Sequence, residues 1–157
     1  MTHPDGTPAL DRAVRLQILR AFVDTARAPS VAETARALGE PADEVAGAYR
    51  RLAEGRAIVL RSGGEPNDPA IRMAAPFSAV PTRYAVAAGG RRYWANCVWD
   101  ALGVPAMLGV DARIEATCPD CEEPLALAVV GGELVEGEGV VHFAVPARRW
   151  WEDIVFT

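Results

Sequence analysis

Two short cysteine patterns concentrate the chemistry of this sequence. In the first, Cys97 and Asp100 stand three residues apart within Tyr93-Trp94-Ala95-Asn96-Cys97-Val98-Trp99-Asp100-Ala101-Leu102-Gly103. On a helix over 96–102 both side chains would leave from one face. A thiol in a helix's first turn is favoured as thiolate by the unpaired N–H groups and the positive end of the helix dipole. A carboxyl group beside it can carry a proton or offer a hard oxygen to a metal. The same spacing also fits a buried cysteine next to a surface aspartate. The second pattern, Cys118-Pro119-Asp120-Cys121, is a CxxC unit between two expected strands. Its spacing suits half of a tetrahedral zinc site, with only Cys97 and His142 left as further soft or borderline donors, so a structural, redox-inert pair is the competing reading. His142 lies in an apolar run and is expected to be a core or edge histidine satisfied by a hydrogen bond. Trp94, Trp99, Trp150 and Trp151 are available either to wall an apolar pocket or to pack a core.

The elements that must hold these groups follow from periodicity and punctuation. Leu10, Val14, Ile18 and Phe22 recur every four residues, predicting an amphipathic helix that ends before Pro29. Ser30 with Glu33 is a capping-box pattern for a helix over 30–38, closed by Gly39. Pro41 suits the first position of a third helix, which presents Val45, Ala48, Tyr49 and Leu52 and ends near Gly55. Strands are expected over 57–60 and 71–73 across Gly63-Gly64, which completes a winged-helix pattern, and prolines at 66, 69, 76 and 81 place a boundary near 74–82. Beyond it, strands at 83–88 and 91–94 flank Gly89-Gly90, and the helix carrying Cys97 is expected to close at Gly103. Further strands are expected over 111–117, 125–130 and 140–145, followed by a helical turn over 147–153. The fold class is therefore α+β: a winged-helix-like N-terminal domain at about 1–80, then a mixed, mostly antiparallel β domain with short helices at about 81–157.

Composition narrows the function classes. Half of the 157 residues are hydrophobic and 24% are charged, so a core is affordable and disorder is excluded as the main state. No apolar run is long enough to span a bilayer, which predicts no membrane partner. The opening residues lack the basic and apolar regions of a secretory signal, predicting a cytoplasmic address. Up to residue 76 the charges cancel, so the acidic second half carries the whole net charge of -5. In the third helix Asp43, Glu44 and Glu54 offset Arg50, Arg51 and nearby Arg56, so nucleic acid is not the expected partner.

The segment from Tyr93 to Pro105 resembles the active-site segment of the organomercurial (alkylmercury) lyases, in which an aromatic strand leads into Cys-x-x-Asp, an apolar run and a proline. The likeness continues through 111–118, 140–143 and 150–156, and the N-terminal half with the connector 76–86 looks like the family's lead-in. The resemblance implies protonolytic cleavage of a carbon–mercury bond, giving a hydrocarbon and Hg(II), with no cofactor. Cys97 would be the catalytic thiol and mercury ligand, and Asp100 the acid that collects a proton and delivers it to the leaving carbon. Cys118 matches a cysteine the family keeps as structural, while Cys118 and Cys121 together could hold or relay mercury. The family's second catalytic cysteine lies beyond a stretch resembling 150–156, and residues up to Thr157 do not include it. The 157-residue chain is accordingly expected to bind organomercurials better than it cleaves them. The alternatives are a non-enzymatic thiol-based metal-binding protein and a winged-helix metal-responsive regulator.

Overall fold

The computed structural model describes residues 8–155 and divides between Val80 and Pro81 into two compact units. The opening residues and the apolar end at Phe156 and Thr157 lie outside the described residues. Helices and antiparallel strands together make an α+β protein.

In the first unit, α1 (Ala9–Thr25) buries Val14, Ile18 and Phe22, the stripe set by the four-residue recurrence. Asp11 takes the next position of that stripe, and its carboxylate accepts a fork of hydrogen bonds from Arg51 at 2.6–3.1 Å. α2 (Val31–Leu38) opens on a complete capping box: the Glu33 N–H donates to Ser30 Oγ at 3.1 Å, and the Ser30 N–H donates to Glu33 Oε2 at 2.8 Å. Gly39, at φ 70°, closes it in the left-handed region. α3 (Ala42–Glu54) begins one residue later than expected, with Pro41 as its N-cap. It buries Val45, Ala48, Tyr49 and Leu52, and the Tyr49 hydroxyl is within 2.7 Å of Thr34 Oγ1.

Of the two strands expected after α3, the first is two residues shorter and the second one residue longer. β1 (Val59–Leu60) pairs antiparallel with β2 (Ile71–Ala74), which pairs antiparallel with β3 (Phe77–Ser78), a strand the sequence reading left out. Phe77 stacks on Phe22 with ring centroids 5.1 Å apart and planes 9° from parallel, which fastens this ribbon to α1.

The second unit is an antiparallel sheet in the order β5-β4-β6-β7-β8, made of β4 (Tyr84–Ala88), β5 (Arg91–Ala95), β6 (Ala112–Thr117), β7 (Pro124–Val130) and β8 (Glu133–Glu136). Val86 lies opposite Tyr93 on one side and Ile114 on the other, so these three buried side chains share one face. α4 (Val98–Leu108) packs on β4, β5 and β6 through buried Ala101, Val104 and Pro105.

Two expectations for this unit are corrected. α4 does not close at Gly103 but runs through Pro105 to Leu108, where Gly109 at φ 65° caps it and donates its N–H to the Pro105 carbonyl at 2.8 Å. Its apolar residues face a continuous sheet surface, and that packing outweighs the weak helix preference of Gly103 and Pro105. The strand expected over 140–145 does not form. The chain turns at Gly131-Gly132 and pairs at once as β8, which occupies the edge of β7. Gly137 and Gly139 then adopt φ of 115° and 133°, a region that ends regular pairing. His142 is consequently exposed in an irregular stretch, not buried in a strand. The last element is a 3-10 helix over Ala147–Glu152. Among the described residues no helix is long and apolar enough to cross a membrane.

Candidate active site

β5 delivers Cys97 to the start of α4. Ala95 is fully buried at the strand's end, and Cys97 continues in extended geometry, φ -146° and ψ 179°, as the helix N-cap. The Ala101 N–H donates to the Cys97 carbonyl at 2.9 Å, the helix's first turn. Asp100 stands in that turn, half-buried, and its Oδ2 accepts a hydrogen bond from Asn96 Nδ2 at 2.8 Å. The thiol and the carboxyl therefore sit together at one helix end, with an amide holding the carboxyl's orientation.

Burial governs the protonation of both groups. It pushes the Cys97 thiol above its ordinary range; the Asp100 N–H opposes the rise, the Asp100 charge adds to it, and the Trp99 N–H opposes it again. The thiolate expected at a helix start is therefore not the resting form, because desolvation outweighs the N–H groups. Burial also raises the Asp100 carboxyl, against the Asn96 hydrogen bond that favours its charged form. A carboxyl raised this way holds a proton more readily than one in water, which suits a group that must pick up and return one.

Trp99, between Cys97 and Asp100 in sequence, belongs to an aromatic cluster. Trp99, 62% exposed, meets Phe143 edge-on at 6.4 Å, and Phe143 lies 5.0 Å from Trp150, whose indole N–H donates to the Val145 carbonyl at 2.9 Å. Two of the four tryptophans thus share one cluster. Trp94 lies elsewhere, under the Arg92 guanidinium at 5.2 Å and on the sheet face opposite Tyr93. Asn96 and Phe143 carried no role in the sequence reading. Asn96 could have been found from its four-residue spacing to Asp100, whereas Phe143 was hidden in the run misread as a strand.

Cys118 and Cys121 close the β6–β7 hairpin. The Cys118 N–H donates to the Glu123 carbonyl at 2.9 Å, and the Glu122 N–H donates back to the Cys118 carbonyl at 3.0 Å. The N–H groups of Cys121 and Asp120, joined by the Cys121 thiol, pull the Cys118 thiol downward. The Cys121 thiol is shifted upward: the Glu123 N–H favours its ionised form, but its bond to Cys118 and the neighbouring charges prevail. Among the described residues no group of three or more His, Cys, Asp or Glu side chains is arranged to hold a metal ion, so the further ligands of a tetrahedral zinc site are not assembled there. The strand register also brings the two cysteine patterns to one end of the sheet. Trp94 lies opposite Ala85 and Ala116 opposite Tyr84, so Cys97 leaves β5 and Cys118 leaves β6 at the same end, with β4 between them.

These shifts order the thiols by reactivity. With iodoacetamide at neutral pH, Cys118 is expected to label at least about tenfold faster than Cys97. Labelling of Cys97 should then accelerate as pH rises toward its elevated pKa, because only the thiolate attacks. Peptide mass spectrometry over a pH series checks this, and equal rates at neutral pH would contradict the burial of Cys97.

Comparison with known proteins bears on the fold and the family. A crystal structure described as the mercury-bound form of MerB2 superposes with a TM-score of 0.62 at 23% identity, covering 82% of this chain and 66% of that one. At that identity the likeness is one of fold, and the chain spans just under two thirds of the length of that structure. No curated protein sequence matches the chain. The family described as MerB, alkylmercury lyase, matches residues 77–157, a span holding Cys97, Asp100, Cys118 and Cys121 and just over half of the sequence. The chain belongs to the alkylmercury lyase family.

Proposed function

We propose that this chain cleaves organomercurials by protonolysis, with Cys97 as the mercury ligand and Asp100 as the proton carrier. The observation that carries this reading is the half-buried Asp100 carboxyl fixed by Asn96 one helical turn from the Cys97 thiol. Mercury is a soft ion, for which sulfur outcompetes oxygen and nitrogen donors. Cys97 attacks R–Hg–X, where X is chloride or a small thiolate, and expels X as its thiol proton passes to Asp100. The protonated Asp100 then delivers that proton to the carbon as the carbon–mercury electron pair leaves the metal, giving R–H and Hg(II) on Cys97. Mercury remains in the same oxidation state throughout, so the step needs no electron donor. Trp99, Phe143 and Trp150 offer an apolar surface for R, with aryl groups favoured.

Incubation with phenylmercuric acetate, followed by gas chromatography of the headspace, tests this. Benzene released above the level of a small-thiol control is the expected result. Stoichiometric uptake of phenylmercury without benzene would instead identify a non-enzymatic thiol-based binder.

The order of α1, α2, α3 and a short antiparallel ribbon supports a winged-helix-like reading of the first unit. It does not favour a regulator that binds DNA. Arg51 is committed to Asp11, and Arg50 hydrogen-bonds the Pro66 carbonyl, so two cations of α3 already have partners within the unit.

A further inference from the structure

We propose that Cys118 and Cys121 form a two-thiolate receiving site for Hg(II), placed to take the product ion from Cys97. The origin of the ion rests on the lyase reading above, whereas the site itself is built from three observations. The hairpin closure sets Cys118 and Cys121 three residues apart on one hydrogen-bonded turn, so a single ion can be reached by both thiols. Cys121 is exposed and Cys118 partly so, which leaves the pair open to an incoming ion and to an outgoing acceptor. The donor set is two thiols, with no further His, Cys, Asp or Glu grouped with them among the described residues. Such a set is too small for zinc and sufficient for Hg(II), which binds two thiolates in line.

Position supplies the connection to Cys97. β5 and β6 are separated by β4 alone, two strand spacings of roughly 10 Å in total. Transfer is a ligand exchange. Cys97-S–Hg–X and the two thiols give Cys118-S–Hg–S-Cys121, the Cys97 thiol and HX, where X is chloride or a small thiolate from solution. Two sulfur–hydrogen bonds break and one re-forms on Cys97, the other proton leaves with X, and no atom changes oxidation state. The sulfurs arrive one after the other, as in other thiol exchanges. Cys97 is thereby returned to its free form for a further substrate.

Mercuric chloride alone is the probe, added stoichiometrically to the full chain in the presence of 2-mercaptoethanol and followed by desalting. The unmodified protein and Cys97→Ser should each retain a single Hg(II). Cys118→Ser and Cys121→Ser should each weaken retention about a hundredfold, because a chelating pair is lost with either sulfur. In the unmodified protein, bound Hg(II) should protect Cys118 and Cys121 from iodoacetamide and leave Cys97 reactive. Protection of Cys97 with labelling of the other two would overturn the proposal, as would retention that survives loss of both hairpin thiols. Because free Hg(II) is supplied, these outcomes do not depend on carbon–mercury cleavage. A chain that makes no benzene yet retains Hg(II) on the hairpin would sink the lyase reading and leave the site standing.

Discussion

Replacing Cys97 with serine is expected to eliminate benzene release from phenylmercury, by at least roughly a thousandfold or about 4 kcal/mol of transition-state stabilisation. Serine keeps the N-cap geometry and even improves the cap, so the fold should be unharmed. What it removes is the soft donor: an alcohol oxygen neither holds mercury against solution thiols nor pushes electron density toward the carbon–mercury bond. Uptake of phenylmercury is a poor readout for this variant, because Cys118 and Cys121 remain available as ligands. Benzene is the useful one. Cleavage by Cys97→Ser at the parent rate would remove Cys97 from the chemistry and direct attention to the hairpin thiols.

Asp100→Asn separates binding from proton delivery. The amide has almost the shape of the carboxyl, so mercury should still load onto Cys97. It can neither accept the thiol proton nor return one to carbon. Benzene release should fall by about a hundredfold to ten-thousandfold, the usual range for a lost general acid. The variant should also accumulate intact phenylmercury on Cys97, detectable by mass spectrometry. Persistence of the parent rate would mean that another acid protonates the carbon. Asn96→Ala is the milder companion: it frees the Asp100 carboxyl from its 2.8 Å hydrogen bond and should lower the rate by less than loss of the carboxyl itself.

How much of this could be read from the sequence differs by element, for physical reasons. α1 to α3 were legible because their signals are local: a four-residue apolar recurrence, a capping box and a glycine stop. The pairing of Cys97 with Asp100 was legible for the same reason, since a spacing of three within a helix fixes a common face. The far end of α4 was not. Gly103 is a stop signal in isolation, and only the sheet face formed by β4, β5 and β6 explains why the helix continues. β8 and the irregular stretch after it were missed together. Val140 to Val145 has strand composition, but the β7 edge it would pair with is occupied by Glu133–Glu136, which the Gly131-Gly132 turn brings back directly. The protonation of Cys97 was misjudged because the helix end is visible in a sequence and burial is not. The shared sheet end of Cys97 and Cys118 is a matter of register, which only the folded sheet supplies.

Single-turnover cleavage of phenylmercury in deuterium oxide tests the Cys97–Asp100 mechanism most directly, with protein in excess and the products analysed by mass. Protonolysis through an exchangeable thiol and carboxyl must place one solvent-derived deuterium on the ring, so singly deuterated benzene and protein-bound Hg(II) are the expected products. Benzene carrying no deuterium, or no benzene above a small-thiol control even after prolonged incubation, would contradict it.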